Sequence, residues 1–262
     1  MDGDEAVRDQ PPPLELPADP ASAHGARIEA AFLGALAGER AAQAPAAAGD
    51  LLEVADSIAA VGGFDAEDLR RRGLVGSSQA GPAGLLLRAV PYALLAPFDR
   101  PRVRRDAYRV AALAGADEGT AVAAMATALL VADLTRFDLA TAVVRVYQSL
   151  LEDAPFALLE RLRIGGAVTA AASDDDPGVA LQLAIAGALG AEQVEAAISG
   201  ASAPGRRAAL SLAGVLAGTR LGSAGFDSAW RAAVPHAHRA ATLAAAVASR
   251  AAELAEASAA PG

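Results

Sequence analysis

Residues 212–222 read LAGVLAGTRLG, and this stretch decides the fold class. Its glycines recur at every fourth position, which is the spacing of one face of an α-helix. They are Gly214, Gly218 and Gly222. Because such a face has no side chains, a second helix can approach it closely. Gly34 and Gly38 repeat the spacing within a helical pattern over 27–42. The two stretches predict helices packed through small residues.

The composition supports an all-α fold. Hydrophobic residues make up 53% of the 262 residues but aromatic residues only 4%. A β-sandwich of this size would need more aromatic and β-branched residues. Helical patterns recur along the chain, including 154–172 and 226–257, and no segment alternates as a strand does.

Two regions are expected along the chain. Residues 1–24 are acidic and rich in proline, with little to bury, and so predict a disordered arm. Residues 25–262 predict one helical domain. The arm has no basic segment followed by an apolar one, so it is not a signal peptide.

Several classes of function are disfavoured. The formal net charge of −9 repels nucleic acid, and the absence of cysteine excludes disulfides and thiolate chemistry. The longest apolar run, 121–132, is too short to span a membrane, so a soluble cytoplasmic protein is expected. All 22 basic residues are arginine, a bias typical of a GC-rich bacterial genome.

Four segments, in order, resemble landmarks of the ADP-ribosylglycohydrolase family, whose dinitrogenase-reductase-activating members are hydrolases. The segments RIEAAFLGALAGE (27–39) and GLLLRAVP (84–91) resemble the opening helix and the N-G-x-L-M-R-x-x-P motif, with Ala83 at the Asn position and Arg88 kept. LEVADSI (52–58) with GGFDAEDL (62–69) resembles the helix and turn after the first metal motif. LAGVLAGTRLG with FDSAW (226–230) resembles the late glycine-rich helix. The resemblance implies a compact multi-helix orthogonal bundle.

The family holds two magnesium or manganese ions with T-D-D-T and D-T-D-T motifs, because hard cations prefer clustered carboxylates. In this register the first motif reads Ala47, Ala48, Gly49 and Asp50, and Asp50 is a ligand only if the register slips by one. The second reads 205–208, with Gly205 and Arg207 at ligand positions beside Arg206. The family's Thr-His pair maps onto 114–115, and its first acidic position is Glu39. The resemblance therefore implies a vestigial cleft without the metal pair, without cofactor and without catalytic residues.

Three functions remain open from the sequence. The first is a catalytically inactive relative, a pseudoenzyme, that binds a protein partner or regulates it. The second is a metal-independent site for ADP-ribose or a related nucleotide, with Arg88, Arg206 or Arg207 facing phosphate. The third is an active ADP-ribosyl glycohydrolase with rearranged ligands.

Other polar motifs favour structural roles. Asp176 before Pro177 predicts a helix N-cap rather than a metal ligand. The arginine runs at 70–72 and 100–105 fit solvated helix ends or, alternatively, contacts with phosphate or an acidic partner. At least one of Arg206 and Arg207 is predicted to point into the old metal cleft in place of the lost cations. Its expected partner is Glu39, Asp50, Glu53 or a bound phosphate.

Overall fold

The computed structural model describes residues 23–43, 47–76, 78, 81–164, 176–202 and 207–259. Over these residues the chain is helical and has no strand, which confirms the predicted fold class. The helices are α1 (Ala23–Ala42), α2 (Ala47–Val61), α3 (Ala66–Arg71), α4 (Gly81–Leu95), α5 (Arg100–Leu113), α6 (Glu118–Leu134), α7 (Leu139–Ser149), α8 (Phe156–Arg161), α9 (Pro177–Ala188), α10 (Val194–Gly200), α11 (Arg207–Leu221), α12 (Ser228–Ala232) and α13 (Ala237–Ala259). A 3-10 turn, Gly222–Gly225, joins α11 to the segment before α12.

Helices α1 and α11 pack against each other through glycine, as the sequence predicts. A Cβ added to Gly34 would lie 2.0 Å from the carbonyl oxygen of Gly214, and one added to Gly38 would lie 2.3 Å from that of Leu210. Gly218 meets Ala30 in the same way, so the two helices run antiparallel. The pairing places the start of α11 beside the end of α1.

The other helices surround this pair. Helix α13 packs on α1 and α2, whereas α9 and α10 pack on α11. Helix α4 contacts α2, α5 and α6, and its apolar residues belong to one continuous core with those of α1 and α11. No helix in the described part of the chain combines the length and hydrophobicity needed to cross a membrane.

Aspartate side chains set the starts of many helices. Each accepts backbone N–H groups of the first turn, which would otherwise lack partners. Asp65 caps α3 and Asp176 caps α9, and the cap at Asp176 confirms the sequence prediction. The same cap is formed on other helices by Asp99, Asp117, Asp138 and Asp227.

Two predicted helices have different limits. The pattern over 226–257 is interrupted, so that α12 and α13 are separate helices. Pro235 has no N–H to donate, and His236 adopts φ 58°, a left-handed conformation that ends helical geometry. The helix predicted over 154–172 ends at Arg161 in α8, and its remainder from residue 165 lies outside the described residues.

The helical domain begins earlier than predicted. Helix α1 starts at Ala23, and His24, assigned above to the arm, is buried with its Nε2 atom 2.9 Å from the carbonyl oxygen of Leu94. Burial lowers the pKa of His24 below its usual range. The predicted disorder concerns residues outside the described part of the chain and stays a prediction.

Removal of residues 1–22 is expected to leave the thermal unfolding curve unchanged, because these residues are acidic, rich in proline and poor in apolar side chains. A second truncation that also removes Ala23 and His24 deletes the buried contact with Leu94 and should lower the melting temperature. Scanning calorimetry of both variants tests this. A loss of several degrees in the shorter deletion would contradict the prediction.

Candidate functional site

Arg88 and Asp50 form an ion pair at the start of α2. The Nε and Nη2 atoms of Arg88 donate to one carboxylate oxygen of Asp50 over 3.0 and 2.8 Å. Asp50 lies in the first turn of α2, where the positive end of the helix dipole favours a carboxylate. The Arg88 side chain is only 3% exposed, so this guanidinium is a cation built into the interior of the protein.

Arg88 also binds the segment between α3 and α4. Its Nη1 atom donates to the carbonyl oxygens of Leu74 and Gly76 over 2.9 and 3.2 Å. All three guanidinium nitrogens therefore have protein partners. This engagement satisfies a buried charge, and it assigns Arg88 a structural role in place of the expected contact with phosphate.

Glu39 and Glu53 also have partners in the described part of the chain. Glu39 accepts the backbone N–H of Ala48 over 3.0 Å, which joins the end of α1 to the first turn of α2. Glu53 accepts from Arg239 of α13 over 2.6 Å, and Arg72 lies 3.7 Å away. The carboxylates predicted to face Arg206 and Arg207 thus contact other groups.

The structure brings only some of the predicted cleft positions together. Hydrogen bonds join Glu39 to Ala48 and Asp50 to Arg88, whereas Gly49 is exposed and has open space where a Cβ would be. Ala83 is buried in the first turn of α4. Arg207 is exposed at the first residue of α11. Gly205 and Arg206 lie outside the described residues, so their placement stays a prediction.

Two cavities lie near these positions. One of about 410 Å³ lies between α8 and the starts of α4, α6 and α9; its polar lining comes from Asp117, Thr120, Arg161 and Asp176. Another of about 430 Å³ is bounded by the end of α1, the start of α2 and the start of α13, and includes Glu39, Gly49, His236 and Arg239. Arg161 pairs with Asp176 over 2.6 Å, and Asp117, which caps α6, leaves the first cavity with one formal negative charge.

Metal-binding side chains are not grouped near either cavity. Within residues 23–259, leaving aside the segments that the structure does not describe, no three His, Asp or Glu side chains converge as metal ligands would. At the positions aligned with the family ligands, Ala48 and Gly49 have no side-chain oxygen, and Asp50 is bonded to Arg88. These residues do not fit a pair of divalent cations.

Most arginines of the two predicted clusters form internal ion pairs. Arg72 contacts Asp68 over 2.7 Å and also Asp56, and Arg104 contacts Asp153. The hydrogen bond from Arg72 is the largest reason why the pKa of Asp68 is lowered to about 2. Arg72 and Arg104 therefore join α2 to α3 and α5 to the segment after α7, whereas other arginines of the clusters stay exposed, as solvated helix ends do.

Sequence reasoning missed the carbonyl groups that Arg88 binds and the carboxylate of Asp133, which is completely buried. The sequence did contain a signal that Arg88 needs partners. Arg88 interrupts the apolar segment 84–91, and a charge at a core position requires partners. The sequence contains no comparable signal for the backbone carbonyls, which carry no residue-specific information.

No protein-family model and no curated protein matches the sequence. Solved structures do match, among them one titled "ADP-ribosylglycohydrolase-related protein complex", with a TM-score of 0.72. The match covers 87% of this chain and 99% of the other chain at 18% sequence identity. Identity this low shows a shared fold, and activity has to be argued from the site. The chain accordingly has an ADP-ribosylglycohydrolase-like fold.

Proposed function

We propose that this chain is a non-catalytic protein of the ADP-ribosylglycohydrolase-like fold that binds a partner or regulates one. The observation that carries the proposal is the ion pair of Arg88 with Asp50. A protein cation occupies the one carboxylate that a shifted register would offer to a metal. The glycohydrolase reaction expected from the family resemblance depends on metal ions, so a cleft without their ligands favours a binding role.

The charges in the cleft also argue against a pair of bound divalent cations. Two divalent cations carry a charge of about +4, and removing such ions from water costs tens of kcal/mol before ligands compensate it. Asp50 supplies one negative charge, and Arg88 already neutralises it at 2.8 Å. Binding of cations here would require Arg88 to leave Asp50 and the carbonyl oxygens of Leu74 and Gly76.

The full chain is expected to melt at the same temperature with and without Mg²⁺ or Mn²⁺, at matched ionic strength. A ligand that binds only the native state, and is present at a hundred times its Kd, would add about 2.7 kcal/mol to the free energy of unfolding. Calorimetry detects a change of this size easily. A melting temperature that rises with the concentration of either cation and then saturates would contradict the proposal. Release of ADP-ribose from an ADP-ribosylated peptide would contradict it independently and restore the catalytic hypothesis.

A metal-independent nucleotide site is the second candidate, for which the cavity of about 410 Å³ at the starts of α4, α6 and α9 offers space. Titration calorimetry with ADP-ribose, without and with Mg²⁺, separates the two candidates. Binding that is independent of Mg²⁺ would support the nucleotide site. Absence of heat in both titrations would support the partner-binding role.

A further inference from the structure

A second charged site lies at the C-terminal end of α6, opposite the end that lines the cavity of about 410 Å³. Its Thr120 lines that cavity, and Asp133 lies thirteen residues further along, or about 20 Å at 1.5 Å per residue. The Asp133 side chain is completely buried. The arginine cluster around it consists of Arg100 from α5, Arg136 from the segment after α6 and Arg145 from α7.

The arginine cluster is unevenly bonded. Arg100 donates to the Oδ2 atom of Asp133, and the Nε atom of Arg145 donates to the same oxygen over 3.3 Å. Arg136 lies further away, with its Nη2 atom 3.9 Å from Oδ1. The Oδ1 atom and the Nε atom of Arg136 are both buried without a hydrogen-bond partner.

Three guanidinium groups share one carboxylate at this place. They face Asp133, and the C-terminal end of α6 adds about half a negative charge. The neighbouring acids Asp99 and Asp138 cap α5 and α7, and each adds a formal negative charge close to the cluster. The unbonded Nε atom of Arg136 is a buried donor, which is costly unless an acceptor completes its hydrogen bond.

Phe137 holds part of the arginine cluster in place. The guanidinium carbon of Arg145 lies 4.4 Å from the centre of the ring, and that of Arg136 lies 5.5 Å from it. Cation–π contacts of this kind orient a guanidinium without using its N–H donors. Burial lowers the pKa of Arg136, the carboxylate of Asp133 raises it, and the guanidinium groups of Arg145 and Arg100 each lower it to a smaller extent.

We propose that the arginine cluster of Arg100, Arg136 and Arg145 binds a phosphate group. A phosphate group offers several acceptor oxygens to guanidinium N–H groups, and the Nε–H of Arg136 still lacks an acceptor. The side chains of Arg100 and Arg136 are each 23% exposed and that of Arg145 is 40% exposed, so the ligand can reach them from solvent. The site lies away from the cleft, and its function does not depend on the proposed role of the cleft.

The test titrates inorganic phosphate into the full chain, with chloride at equal ionic strength as the control. The heat of binding and the melting temperature are measured in both titrations. ADP is titrated separately to distinguish free phosphate from a phosphate ester. Saturable binding of either beyond the chloride control is expected. Arg136→Gln and Arg145→Gln should each weaken it about tenfold, the effect of losing one charge-assisted hydrogen bond.

Two controls keep the test interpretable. Arg163→Gln removes an exposed guanidinium that pairs with Glu160 on α8, and this variant should bind as the parent does. Arg145→Lys keeps the charge but loses the planar donors and the stacking on Phe137, so its affinity should fall between those of the parent and Arg145→Gln. The proposal is wrong if phosphate and ADP have no effect beyond that of chloride at equal ionic strength. It is also wrong if the folded Arg136→Gln and Arg145→Gln variants bind as tightly as the parent.

Discussion

The variant Gly214→Ala is expected to lose at least about 3 kcal/mol of its free energy of unfolding, and it is a candidate for complete unfolding. An added Cβ would lie 2.0 Å from the carbonyl oxygen of Gly34, far inside any permitted contact. The atom it meets belongs to the backbone, so no side chain can rotate to relieve the overlap. Relief requires α1 and α11 to separate, and this disrupts the centre of the core.

Urea denaturation followed by circular dichroism measures the effect of Gly214→Ala. Gly49→Ala is the matched control, since Gly49 is also helical but has open space around its added Cβ. The free energy of unfolding of this control should rise by up to about 1 kcal/mol, because alanine forms helices better than glycine does. Similar stabilities for the two variants would show that the contact between α1 and α11 is not as close as described here.

The variant Arg88→Met is expected to cost about 3–5 kcal/mol, the usual result of removing one partner from a buried ion pair. Methionine fills much of the same space but leaves Asp50 without its cation and the carbonyl oxygens of Leu74 and Gly76 without a donor. Because Asp50 keeps 22% exposure, water can solvate it in part, which places the expected cost near the lower limit.

Chemical denaturation of Arg88→Met is compared with that of Arg163→Met. Arg163 is exposed and pairs with Glu160 three residues away, so its loss should change stability by only about 0–1 kcal/mol. An Arg88→Met variant as stable as this control would overturn the view that Arg88 holds the middle of α4 to the start of α2 and to the segment between α3 and α4. It would also remove the main support for the proposed function.

Much of the fold could be predicted from local patterns. The four-residue spacing of glycine predicts a close helix contact, and Gly34 and Gly214 make it. Gly222 continues the four-residue spacing but adopts φ 63° in the turn after α11, so the glycine pattern extends beyond the end of the helix. The pattern over 226–257 predicted one helix because periodicity does not report the left-handed His236 that interrupts it.

The candidate site was less predictable. The motif positions drew attention to Asp50 and Arg88 separately, one as a possible survivor and the other as a retained residue. Their pairing depends on α2 and α4 lying side by side, and neither residue specifies this arrangement locally. The prediction that Arg207 replaces the metal charge concerned an exposed residue, while the protein cation next to Asp50 is Arg88.

Local sequence patterns were enough to predict the all-helical class, the cap at Asp176 and the small-residue faces, because each depends on residues within a few positions of one another. Which charges meet became known from the packing of the helices. Asp50 pairs with a residue 38 positions away, and Glu53 with one 186 positions away. An ion pair depends on the distance between two groups in space and on their burial, and neither quantity exists until the helices have packed.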